Sequence, residues 1–198
     1  MDTVGRPMRA DARRNQEKIL ASARELFARS GAQPQMEEVA AHAGVGLGTL
    51  YRRFPTKEAL VTAMVQERFA SFVAIARRAE EVDDPLTALV TVMRGHARAA
   101  EDDAVFQLAM MQLDIFSWEG IELDRAAVGE SVTRILARAK AAGVVRDDLT
   151  FDDYTMLMGS LTATMHFRYS TAGWERHLAL MLSGLGPCRS TSPAGLAD

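Results

Sequence analysis

Apolar residues recur at helical intervals along most of the chain and seldom in the alternation that marks a strand. Ile19, Leu20, Ala23, Leu26 and Phe27 fall at i, i+1, i+4, i+7 and i+8. This single stripe predicts a helix from about Arg13 to Ser30, ended by Gly31. Residues 1–12 show no periodicity and are expected to form a disordered basic arm carrying Arg6 and Arg9. Met36, Val39, Ala40 and Ala43 share one face of a short helix that Gly44 closes. A second short helix, about Leu47–Phe54, stops at Pro55, because the residue before a proline is pushed out of the α region. Thr56 is then placed to cap a long helix over about Lys57–Glu81.

Asp84 and Pro85 open the next helix as N-cap and first helical residue, and it runs to Glu101. Residues 103–117, DAVFQLAMMQLDIFS, are apolar nearly all round, the pattern of a buried helix. Val128, Val132, Ile135, Leu136 and Ala139 keep register along a helix of about Leu123–Ala142, capped by Gly143. Asp152 is expected to cap a helix over about Asp153–Ser170, and Trp174–Leu185 make the last one. From Gly186 the chain reads as a disordered tail. The pattern predicts an all-α fold of about nine helices, the short ones near the N-terminus and the longer ones in a bundle.

Composition agrees with a packed core: 198 residues, 48% hydrophobic and 25% charged, enough for one medium domain or a small one joined to a larger one. Charge adds an asymmetry. Residues 1–60 hold 10 Lys/Arg against 7 Asp/Glu, whereas residues 61–198 hold 13 against 19. A basic N-terminal third beside an acidic remainder points to a polyanionic partner for the first part, although charges this few also scatter unevenly by chance. Cys188 is the only cysteine, so no intramolecular disulfide can form, and a reducing cytoplasm is the expected location. The first residues lack the apolar core of a signal peptide, and no continuous run of 18 apolar residues suggests a membrane span.

The stretch Ala43–Leu60, AGVGLGTLYRRFPTKEAL, carries the chemistry. Glycines at 44, 46 and 48 suggest a phosphate-cradling loop, but Tyr51 stands where the third glycine of a dinucleotide fingerprint belongs, and no strand precedes it. No Gly-Lys-Ser/Thr appears either. A helix-turn-helix uses every residue instead. Gly44 takes the left-handed conformation that ends one helix, Val45 plugs the angle, and Gly46 starts the next, with Leu50 and Phe54 as core anchors. Thr49, Arg52 and Arg53 then point outward, Gly48 allows close backbone approach, and Tyr51 lies at the edge of both faces.

The segments KILASARELFARSG, MEEVAAHAGVG and GTLYRRFPTKEAL resemble the DNA-binding domain of the TetR/AcrR family of transcriptional regulators over about residues 13–60. The resemblance implies a three-helix helix-turn-helix DNA-binding domain at 13–56, with Leu47–Phe54 as recognition helix, and a helical ligand-binding and dimerisation domain at 57–185. Lys57 becomes a phosphate contact. Gln35 and Gly46 stand where family members often carry Thr or Ser, which weakens two helix caps. Leu47 replaces a polar residue, so either it touches a thymine methyl or it packs, and packing is the expectation. Arg52, Arg53, Lys57, Tyr51 and one of Arg13 or Arg14 would sit on phosphates, while Thr49 and one of the two arginines read bases. A helix this short cannot supply full specificity, so a homodimer on a palindromic operator in double-stranded DNA is expected.

The resemblance also implies that the last two helices pair with those of a second copy. Met158, Leu161 and Met165 line one stripe, and Leu178, Met181, Leu182 and Leu185 another; both equally suit the core of a single protomer. Eight methionines fall within residues 64–181, and methionine adapts to irregular cavities. Met93, Phe106, Met110, Phe116, Trp118 and Met158 are candidates to line a cavity for a small, largely apolar effector, or else are ordinary core. His96 and His166 could hydrogen-bond such a ligand, although a lone histidine of this kind is more often a satisfied core residue.

No enzyme is expected. None of His42, His96, His166 and His177 follows a Glu by three residues, as di-iron bundles require, and no metal cluster or cofactor motif appears. Ser-x-x-Lys and Gly-x-Ser-x-Gly are absent too. The functional expectation is a DNA-binding regulator, a repressor released by an effector. The alternatives are a constitutive repressor and a helical partner-binding dimer without DNA binding.

Overall fold

A computed structural model describes residues 5–30, 34–112, 118–167 and 173–187. They form α1 (Gly5–Ser30), α2 (Met36–Ala43), α3 (Leu47–Arg53), α4 (Lys57–Glu80), α5 (Pro85–Glu101), α6 (Ala104–Met111), α7 (Glu122–Ala141), α8 (Phe151–Phe167) and α9 (Gly173–Gly184). No strand occurs among the described residues.

The caps follow local chemistry. The Thr56 hydroxyl accepts from Ala59 N at 3.1 Å and Asp84 from Thr87 N at 2.7 Å, as their positions predicted. Gly143, at φ 66°, closes α7. Three boundaries differ from the sequence reading. Helix α1 starts at Gly5 rather than Arg13, so residues 5–12 are helix and not a disordered arm. Those residues are mostly strong helix formers, and Pro7 sits in the first turn, where its missing N–H costs nothing. Helix α6 ends at Met111, with Gln112 N closing on Leu108 O; residues 113–117 lie outside the described ones. Helix α8 is capped by Thr150 rather than Asp152: Thr150 Oγ1 accepts from Asp153 N at 3.1 Å, and Asp153 accepts from Thr150 N at 2.8 Å. Gly31, Ser170 and the tail from Cys188 onward also lie outside the described residues.

Packing divides the chain into two units, Met1–Ser71 with Ala99–Asp124, and Phe72–Arg98 with Arg125–Asp198. Helix α1 of the first unit packs on α6 as well as on α2. In the first unit Ile19, Leu20, Ala23 and Phe27 are buried, confirming the stripe. Asp103 caps α6 by accepting from Phe106 N at 3.0 Å, and its other oxygen takes Arg68 of α4 at 2.7 Å. A buried carboxylate with both oxygens engaged ties α6 to α4. In the second unit α8 packs on α9, and the Arg138 guanidinium donates to the carbonyls of Glu80, Val82 and Asp83 at 2.8, 2.6 and 2.6 Å. Helix α4 is long and apolar enough to cross a membrane by length and composition alone, with a mean hydropathy of 1.4 in its best window. Of that window, 44% is buried inside the protein.

Candidate nucleic-acid interface

Helix α2 ends in a Schellman turn. Gly44, at φ 65° and ψ 33°, donates to Ala41 O at 3.2 Å, and Val45 N reaches back to Ala40 O at 3.0 Å. A side chain at Gly44 would meet no clash but would be held in the left-handed region. Gln35 lacks the hydroxyl of a strong cap, and the deficit is met from the other side, because Glu38 accepts from Gln35 N at 2.8 Å. Gly46 caps α3 only through its carbonyl, which accepts from Thr49 N and Leu50 N.

Leu50 and Phe54 are buried and fix the roll of α3. At roughly 100° per residue, the face opposite Leu50 is Gly48 and Arg52. Leu47 and Tyr51 lie along one flank of that face, Thr49 and Arg53 along the other. Arg52 is exposed and donates to Thr49 Oγ1 at 3.2 Å, which steadies it on the outer face. Arg53 is committed elsewhere: its Nε donates to Gln16 Oε1 of α1 at 2.8 Å, and its guanidinium lies 5.8 Å from the Phe54 ring centroid. Between α1 and α3 runs an open groove of about 420 Å³, lined by Asp11, Asn15, Gln16, Ile19, Thr49, Arg52 and Arg53.

The remaining DNA-contact candidates differ in availability. Arg13 and Arg14 are exposed on α1 but paired with Glu17 and Asp11. Lys57 is half-buried in the first turn of α4; burial lowers its pKa and Glu38 opposes that. Leu47 does not pack away, being 40% exposed like Tyr51. The expectation that it packs is therefore corrected: Leu50 already occupies the core position of this short helix, and Leu47 is flanked by two side-chain-free residues.

Of the effector candidates, the first unit gathers Phe106 and Trp118 edge-on against Phe69, each at 6.1 Å between centroids, with Met110 half-buried. The second unit buries Met93 and leaves Met158 and His166 half-buried, His166 edge-on to Phe167 at 4.8 Å. Phe116 lies outside the described residues. His96 is buried with both nitrogens used: Nε2 donates to Phe72 O at 3.0 Å, and the Tyr154 hydroxyl donates to Nδ1 at 2.7 Å. A backbone carbonyl can only accept, so it fixes this tautomer. Burial lowers the His96 pKa to about 4, against the weaker pull of the Phe72 bond, and raises that of Tyr154. The role of His96 as a ligand group is thus corrected to that of a satisfied core residue. Of the seven dimer candidates, Leu161, Leu178 and Leu185 are buried within the protomer, and Met158, Met165, Met181 and Leu182 are half-buried. No group of three or more His, Cys, Asp or Glu able to hold a metal occurs among the described residues.

The roles of Gln16, Phe69 and Tyr154 were not read from the sequence. Gln16 lies 37 residues from Arg53, and no local spacing signals that bond.

Residues 19–64 match the family model for bacterial regulatory proteins of the tetR family. Residues 84–187, over half of the chain, match the C-terminal domain of SbtR-like transcriptional regulators. The chain belongs to the TetR family. Its relatives include the HTH-type transcriptional repressor KstR of Rhodococcus jostii, 30% identical over 114 residues, which cover 53% of this chain and 49%, about half, of the repressor. Two solved structures of TetR regulators are similar over nearly their full length. That from Mycobacterium vanbaalenii is 33% identical, with a TM-score of 0.62, covering 91% of this chain and 99% of the other. SCO0520 from Streptomyces coelicolor is 28% identical, with a TM-score of 0.60, covering 87% and 98%. The TetR family is one of transcriptional regulators, not of enzymes.

Proposed function

We propose that this TetR regulator is a repressor that binds a palindromic operator in double-stranded DNA as a homodimer, with α3 in the major groove, and that a small, largely apolar effector releases it. One observation carries the DNA reading. Leu50 and Phe54 anchor α3 so that Gly48 and Arg52 face outward, with Tyr51 on the flank of the same face. The basic balance of residues 1–60 supports an attraction to phosphates that weakens as salt rises. Arg52, resting on Thr49, is the arginine assigned to base edges; Arg53, braced by Gln16, is assigned to the backbone together with Tyr51 and Lys57. Arg13 and Arg14 are weaker candidates, each already paired on its own helix. A cytoplasmic location follows from access to DNA.

The dimer face is assigned to a second copy meeting the outer flank of α8 and α9. Met156, Phe167 and Leu180 are 66%, 53% and 53% exposed there, beside exposed Gly159, Ser160, Ser183 and Gly184. This flank differs from the stripes read in sequence, of which Leu161, Leu178 and Leu185 are buried in the protomer. The effector reading rests on the methionines of residues 64–181, which suit an adaptable apolar site. Its binding would favour a conformation with lower DNA affinity, a coupling between two sites.

A gel shift with the protein's own upstream DNA tests the assignment. Arg52→Ala and Tyr51→Ala are each expected to abolish the shift while the dimer persists in sedimentation. Unchanged affinity in both variants removes α3 from the interface, and a wild-type protein that shifts no DNA favours a partner-binding dimer. Binding that no compound in a broad screen relieves favours a constitutive repressor.

A further inference from the structure

We propose that Leu47 reads the 5-methyl group of one thymine in each operator half-site. The inference rests on the DNA-binding reading above and assigns a base identity to it. Leu47 is the first residue of α3 and is 40% exposed. Its neighbours do not shield it. Gly46 and Gly48 carry no side chains, a Cβ built on Gly48 would meet nothing within 4 Å, and one on Gly46 would meet only Thr49 Oγ1, at 4.0 Å. Tyr51 follows at i+4 with equal exposure, so the two share one flank of α3.

The chemistry selects the occupant. A leucine side chain can neither donate nor accept a hydrogen bond, so it cannot hold a phosphate or read a polar base edge. In the major groove the apolar group that distinguishes one base pair from the others is the thymine methyl. The N-terminal residues of a recognition helix are the ones that contact base edges in this type of motif. Leu47 occupies that end, and Gly48 lets the backbone come close enough for contact.

Deoxyuridine differs from thymidine only in lacking this methyl, so it isolates the contact. Operator sequences are first selected from a random DNA library on the full-length dimer, and each thymine of the half-site is then replaced by deoxyuridine. Losing the burial of one methyl is worth about a factor of four in affinity per half-site, and about fifteenfold when both half-sites are changed. Wild type is expected to show this loss at one symmetry-related thymine. Leu47→Ala is expected to bind the thymine operator correspondingly more weakly and to be indifferent to deoxyuridine there, with an unchanged thermal unfolding curve. Equal wild-type affinity for thymine and deoxyuridine at every position overturns the proposal and leaves DNA binding intact. So does a Leu47→Ala protein that keeps the full thymine dependence. A library from which wild type selects nothing overturns both readings.

Discussion

Acidification should destabilise this protein through His96 in a defined window. The ring is buried and neutral, held between Phe72 O and the Tyr154 hydroxyl, and its pKa is lowered from 6.5 to about 4. The unfolded chain, with an ordinary histidine, therefore binds the proton more readily than the folded one, so unfolding free energy falls as pH falls from 6.5 towards 4 and changes no further from this group below that. The linkage relation makes the loss about 2 kcal/mol by pH 5 and about 3 kcal/mol by pH 4, relative to pH 7. Urea unfolding at a series of pH values, at fixed protein concentration because the protein is read as a dimer, measures it. His96→Gln provides the control, since an amide can donate to one neighbour and accept from the other without titrating. The wild-type and variant stability curves should converge as the pH drops, by about 3 kcal/mol over the window. Parallel curves would refute the idea that the buried neutral ring governs this acid sensitivity.

Three further expectations follow from other contacts. Gln16→Ala frees Arg53 from α1 and should weaken operator binding by about three- to tenfold in fluorescence anisotropy, with little change in melting temperature because exposed polar pairs add little stability. Gly44→Ala forces a Cβ into the left-handed region and should cost about 1 kcal/mol in urea unfolding, whereas Gly44→Asn should cost less. Leu180→Glu places a charge on the proposed dimer flank and should yield folded monomers by sedimentation, whereas Leu161→Glu buries a charge in the protomer core and should prevent folding.

Helix periodicity and punctuation made most of the fold legible. Thr56, Asp84, Gly44 and Gly143 act where their residue types placed them, because caps are local chemistry. Helix α1 extends beyond its apolar stripe, since its first turns carry propensity without one. The two apolar stripes of α8 and α9 are legible as stripes, but periodicity does not distinguish a face turned to the protomer core from one turned to a partner. At the interface, the roll of α3 could be read from Leu50 and Phe54. What Arg53, Leu47 and His96 do depends on Gln16, on flanking glycines and on Tyr154. Two of these partners lie tens of residues away in sequence, beyond any local pattern.

The division of labour on α3 also bears on how such a regulator changes allegiance. Leu50 and Phe54 hold the helix in place, while positions 47, 48, 51 and 52 are exposed. Substitutions at those four sites can therefore accumulate by drift, or be introduced by design, with little toll on folding. On the proposed reading of α3, a duplicated copy of this gene could acquire a new operator through a handful of changes on a seven-residue helix.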